Sequence, residues 1–136
     1  MYTSEGKKII STEKAPKAQG PYSQAIRTET LVFTAGQVGL NPATMELVEG
    51  GVEAQTRQVL TNLKHVLETA DSGLNFVVKT IVFLQDMRDF ANMNSIYSEF
   101  FPENPPARST VQVAALPKGA LVEIECVALI NPVRGD

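Results

Sequence analysis

From Phe76 to Leu84 the chain is an apolar run broken only by Lys79-Thr80. Its β-branched content favours a strand, and its apolarity favours one buried in the middle of a sheet. Patterns of helical period lie on both sides of it. Upstream, within Val52 to Ala70, Leu60, Leu63, Leu67 and Ala70 recur at spacings of three and four and share one face. Arg57, Lys64 and Glu68 fall largely elsewhere, and Asp71-Ser72-Gly73 reads as a stop, with Gly73 free to turn left-handed. Downstream, Asp86 or Asp89 is placed to cap a helix whose apolar stripe is Phe90, Met93, Tyr97 and Phe100. Pro102, Pro105 and Pro106 end it.

The flanks read as strands. Lys8 to Ser11, Tyr22 to Arg27 and Leu31 to Thr34 precede the first helix, with breaks at Ala15-Pro16 and Gly20-Pro21. Ala35-Gly36-Gln37 follows, its glycine marking a bend or a close approach. After the second helix, Thr110 to Ala115 alternates, Leu116 to Gly119 turns, and Leu121 to Ile130 forms the last strand. The order predicts an α+β fold: a sheet with two helices packed on one face, in one domain over 1–136.

The last strand carries the chemistry-bearing anomaly. Leu121, Glu123, Glu125, Val127 and Leu129 share a face, so two carboxylates stand among apolar neighbours. Either this face is partly solvated or salt-bridged, or it lines a pocket where a glutamate handles water and protons. Arg108, after Pro105-Pro106-Ala107, is the second anomaly: a planar fork suited to a carboxylate, or a structural ion pair to Glu125. If Thr110–Ala115 and Leu121–Ile130 form a hairpin, Glu123 lies nearly opposite Val111 or Gln112. Arg108 is then about 10–14 Å away along the strand. The two share a site only if the arginine leans toward Glu123 and a ligand spans the gap.

Other chemistries find little support. Charged residues are 20% of the chain, the formal net charge is −3, and no basic run exceeds Lys7-Lys8, against a nucleic-acid module. His65 reads as a surface residue and Cys126, opposite the glutamates, as a small core residue. One histidine and one cysteine give no metal-site spacing, no internal disulfide and no nucleophile motif. No apolar run approaches the roughly 20 residues of a membrane span. The N-terminus is polar, so the expected location is the cytoplasm.

Several segments together give a resemblance over about Lys8 to Pro132. They are Ala15-Pro16, Gly20-Pro21-Tyr22-Ser23-Gln24-Ala25, Thr34-Ala35-Gly36-Gln37 and Asn75-Phe76-Val77-Val78-Lys79-Thr80. Asp89-Phe90 with Asn94 and Tyr97 follow. Then come Pro106-Ala107-Arg108-Ser109, Val113 through Gly119, and Val122-Glu123-Ile124-Glu125. In these the chain resembles the RidA/YjgF family of imine deaminases.

The resemblance implies a chorismate-mutase-like fold, a homotrimer with a central barrel, and clefts between subunits. It implies hydrolysis of 2-imino acids such as 2-iminopropanoate (from 2-aminoacrylate) and 2-iminobutanoate to 2-oxo acids and ammonia, without cofactor or metal. Arg108 would hold the substrate carboxylate and Glu123 would position water. Tyr22 and Asn94 match cleft-lining positions, and the backbone at Gly36 and Thr110 matches ligand-contacting segments. Ala35 stands where many relatives have serine and Thr110 where bacterial relatives often have cysteine. The alternatives are a carboxylate-binding or regulatory trimer without turnover, a chaperone-like trimer with an exposed apolar patch, and an endoribonuclease or translation inhibitor.

Overall fold

The computed structural model describes residues 1–133; residues 134–136, the end of the domain expected over 1–136, lie outside the described residues. The elements are β1 (Lys8–Ile10), β2 (Ala25–Arg27), β3 (Leu31–Thr34), β4 (Gln37–Val38), α1 (Gly51–Thr69), β5 (Val77–Leu84), α2 (Phe90–Phe100), β6 (Ala107–Gln112) and β7 (Val122–Leu129). All strands join one mixed sheet in the order β1-β2-β3-β7-β5-β6, with β4 also paired to β7. The β5–β6 pair is parallel, because α2 carries the chain back over the sheet between them.

Strand alternation builds the core. Val122, Ile124, Cys126 and Ala128 of β7 and Thr80, Val82 and Leu84 of β5 are buried on one face. Against that face α1 sets Val59, Leu60, Leu63, Val66 and Leu67, and α2 adds Met93 and Tyr97. Each large apolar side chain so buried stabilises the fold by about 1.5–3 kcal/mol before the entropy of ordering it is counted. The α+β expectation, with both helices on one face, therefore holds. Among the described residues no layer covers the opposite face. Phe33, Val111 and Leu129 are more than two-fifths exposed there, beside half-buried Ile81, Phe83, Glu123, Glu125 and Val127.

Four local expectations are corrected. The inferred hairpin is absent: β6 pairs with β5, and β5 separates it from β7. An apolar strand needs both edges paired, and the connection from Val113 to Leu121 is long enough to step over the end of β5. Backbone bonds from Val113 N to Leu84 O and from Gln85 N to Leu121 O fix that step. The left-handed residue after α1 is Asp71 (φ 63°), whereas Gly73 is extended at φ 177°. Asp71 is held there by a 2.9 Å ion pair with the buried Arg27. Asp89 stands at the N-cap of α2 but makes no side-chain cap bond, whereas Asp86 caps the short turn Met87–Asp89 by accepting from Arg88 N. Tyr22 lies in the loop before β2, 53% exposed, not in a strand.

Candidate functional site

The sheet carries an irregularity where β3 passes into β4 along β7. Phe33 faces Val127, but Gln37 faces Ile124: four steps on one strand match three on the other. The extra residue makes a bulge at Ala35-Gly36, the close approach that the glycine signalled. Thr34 completes it, its Oγ1 accepting the Cys126 amide at 3.0 Å while Ala35 N donates to Gln24 O at 2.9 Å. The bulge turns Gly36 onto Glu123. A Cβ at residue 36 would lie 2.8 Å from Glu123 Cδ and 3.0 Å from its Cγ, so the carboxylate occupies the space a side chain would need.

Glu123 lies in a cavity of about 350 Å³ with Tyr22, Gly36, Ala35 and Lys118. Burial raises its pKa above the ordinary carboxylate value, and the like charge of Glu125 raises it further. Neither glutamate has a hydrogen bond or ion pair among the described residues, so the expected Arg108–Glu125 bridge is absent. Lys118 forms the rim in a left-handed conformation (φ 58°). Tyr22 reaches the cavity from a loop pinned by a residue that sequence reading passed over. Gln24, 3% exposed, accepts from Thr12 N at 2.7 Å and donates to Pro16 O at 2.8 Å. Its signal was present only as part of the Gly20–Ala25 segment.

A raised carboxylate pKa fixes the sign of a stability effect. Glu123 favours the fold most when protonated, below about pH 4, and this contribution is lost as pH rises through the folded pKa. Glu123→Gln is therefore expected to flatten the decline in unfolding midpoint between pH 4 and pH 7. Urea titrations of both proteins at the two pH values measure it, and identical declines would contradict the assignment.

Arg108 belongs to a second cavity, of about 680 Å³, with Asn94, Ser95, Tyr97, Ser98 and Pro105. Its Nη1 donates to Asn94 Oδ1 at 2.6 Å, and its guanidinium carbon lies 4.7 Å from the centre of the Tyr97 ring and 5.4 Å from that of Phe90. No carboxylate pairs with it among the described residues. A guanidinium has five donors, so most of this fork is available to an anion. Thr110 points to the same side of β6, and its buried hydroxyl has no partner among the described residues.

The structure thus brings Tyr22, Gly36 and Glu123 together, and Asn94 and Arg108 together, but does not join the two groups within one chain. Arg108 is level with Thr80 and Cys126, whereas Glu123 is level with Phe83 and Val111. Two strand spacings and three residues separate them, about 14 Å between backbones, on opposite faces of the sheet. The adjacent-strand approach expected from a hairpin is overturned. A larger concavity, about 750 Å³, lies elsewhere around Tyr2, Lys8 and Arg27. Its arginine is committed to Asp71 and the Ala70 carbonyl, so it serves the fold.

Known proteins share this arrangement of elements. A family model described as Endoribonuclease L-PSP matches residues 12–130. A 2-iminobutanoate/2-iminopropanoate deaminase of mouse is 49% identical over 126 residues, covering 93% of each chain. The chloroplastic Reactive Intermediate Deaminase A of Arabidopsis thaliana is 50% identical over 94% of this chain and 68% of its own length. Among solved structures, RidA from an Antarctic Psychrobacter superposes with TM-score 0.87 at 49% identity, over 90% of this chain and 99% of that one. TdcF of E. coli with bound serine does so with TM-score 0.87 at 40% identity, over 91% and 99%. On its fold and on these likenesses along nearly its whole length, the chain belongs to the RidA/YjgF family.

Proposed function

We propose that this protein hydrolyses short 2-imino acids to 2-oxo acids and ammonia, in a cleft built from two copies of the chain. The observation that carries the reading is the Arg108 fork, held by Asn94 and two aromatic rings with no carboxylate partner among the described residues. The uncovered sheet face, with its apolar residues and half-buried glutamates, supports assembly, since an exposed apolar surface of this kind is a contact waiting for a partner. A second copy packed across that face and around the β6 edge can bring its Tyr22–Gly36–Glu123 cavity to the first copy's Arg108, and a closed ring of three satisfies every such face.

The chemistry needs little more. Arg108 fixes the substrate carboxylate and orients C2. Glu123 directs water onto the C=N carbon, a C–O bond forms and the C–N bond breaks. The protons removed from water leave on ammonia, passed by the same carboxylate. Burial and the neighbouring Glu125 charge raise its pKa and so make it a stronger proton acceptor than a free carboxylate. No residue role here requires a metal or cofactor.

One observation favours a second reading. The TdcF relative is a structure with bound serine, which supports a site here that binds a small carboxylate without turning it over. The two are separated by generating 2-aminoacrylate in situ, trapping surviving imine with semicarbazide, and mixing two variants. Neither Arg108→Ala nor Glu123→Ala alone should accelerate decay. After subunit exchange at equal amounts, about a quarter of the sites recover both residues and activity returns. No acceleration by the wild-type protein with any imine leaves the binding reading. Wild-type activity without recovery in the mixture sinks the two-copy cleft.

A further inference from the structure

Arg108 stands on β6, at the edge of the sheet, where little backbone surrounds it. Its guanidinium nevertheless has a defined setting. Nη1 is bonded to Asn94, and the guanidinium carbon lies over the Tyr97 ring, 4.7 Å from its centre, a separation at which the ring quadrupole holds a cation. Tyr97 is fixed in turn at its far end. Its hydroxyl lies 2.7 Å from Thr80 Oγ1, and its ring meets that of Phe101 at 4.7 Å between centroids. Tyr97 is 6% exposed and Thr80 fully buried. Thr80 is also the residue paired with Arg108 across β5 and β6. One strand position thus aligns the arginine's backbone and, through Thr80 and Tyr97, the surface beneath its side chain. A phenylalanine would fill the same core volume, so packing does not call for the hydroxyl.

We infer that Tyr97, locked by Thr80, is a positioning residue that sets the plane of the Arg108 guanidinium and presents the edge left by Asn94 to the ligand carboxylate. The inference rests on Arg108 being the carboxylate clamp. Bidentate capture needs two N–H groups coplanar with the carboxylate. A guanidinium free to tilt keeps its charge and loses one of the two bonds. The signature is therefore a higher KM with kcat little changed, and weaker binding of 2-oxo acids.

The test compares Tyr97→Phe, Thr80→Val and the double variant. Each single change leaves a buried hydroxyl unpaired and lowers the melting temperature. The double change removes both hydroxyls and restores most of it. A purely structural hydroxyl pair predicts that binding recovers together with stability. A positioning pair predicts that the double variant melts near wild type yet binds 2-oxobutanoate more weakly by about 10-fold or more in calorimetry, the loss of one bond of a charge-assisted pair. Nitrogen-15 relaxation of the Arg108 Nε–H in ligand-free protein should show lower order in the same variant. Wild-type affinity in the double variant overturns the inference, whatever the relaxation shows. If the unsubstituted protein binds no 2-oxo acid, the clamp reading itself fails. The relaxation comparison then decides the positioning alone, with unchanged order overturning it.

Discussion

Arg108→Ala is expected to lower kcat/KM for imine hydrolysis by about 30-fold or more while the protein folds normally. Removing one partner from a hydrogen-bonded charge pair costs about 2–5 kcal/mol, and each 1.4 kcal/mol is a factor of ten. The fold should tolerate the change. The arginine sits on an edge strand, has no ion pair among the described residues, and its Asn94 partner can turn to water in the cavity. Arg108→Lys keeps the charge but not the planar fork, so it should fall between wild type and alanine. Decay of a semicarbazide-trapped imine, read beside thermal melts, checks both. An alanine variant with more than about half the wild-type rate would remove Arg108 from the mechanism.

The elements were legible because their signals are local. The spacing of Leu60, Leu63 and Leu67 sets a helix face whatever surrounds it, and all three are buried. Strand neighbours are a different matter. Thr110–Gln112 and Val122–Glu125 alternate equally well as a hairpin or as strands on either side of β5. The choice depends on what else must pair with the central strand. That single non-local fact put a whole strand between Arg108 and Glu123, and with Glu123 level with Val111 the two face different cavities on opposite sides of the sheet. The glutamate pair was visible as polar residues at apolar positions, and the bulge beside it as Gly36. Tyr97 was read as part of an apolar stripe, correctly as to burial. Its hydroxyl partner Thr80 lies on another element, so nothing in the spacing could announce it. Asn94 was reached through resemblance alone, since a lone asparagine on a helix carries no pattern.

Gly36→Ala offers the sharpest separation of folding from catalysis. Gly36 has no need of a left-handed backbone, so alanine meets no conformational penalty there. What it meets is the Glu123 side chain, with Cδ at 2.8 Å from the new Cβ. That chain ends in a flexible carboxylate without hydrogen-bond partners among the described residues, so it can swing aside at a stability cost of about 1 kcal/mol or less. In the proposed mechanism, the position from which Glu123 directs water cannot survive the swing. A displacement of about 1 Å at a reacting group can cost a hundredfold in rate. The expected result is a melting temperature close to wild type, kcat down about 10- to 100-fold and KM nearly unchanged, because Arg108 still holds the carboxylate. Combining Gly36→Ala with Glu123→Gln should then lower kcat no further than Glu123→Gln alone, since both changes remove the same group from its place. If the two losses multiply, Gly36 acts on the ligand directly rather than by making room for Glu123.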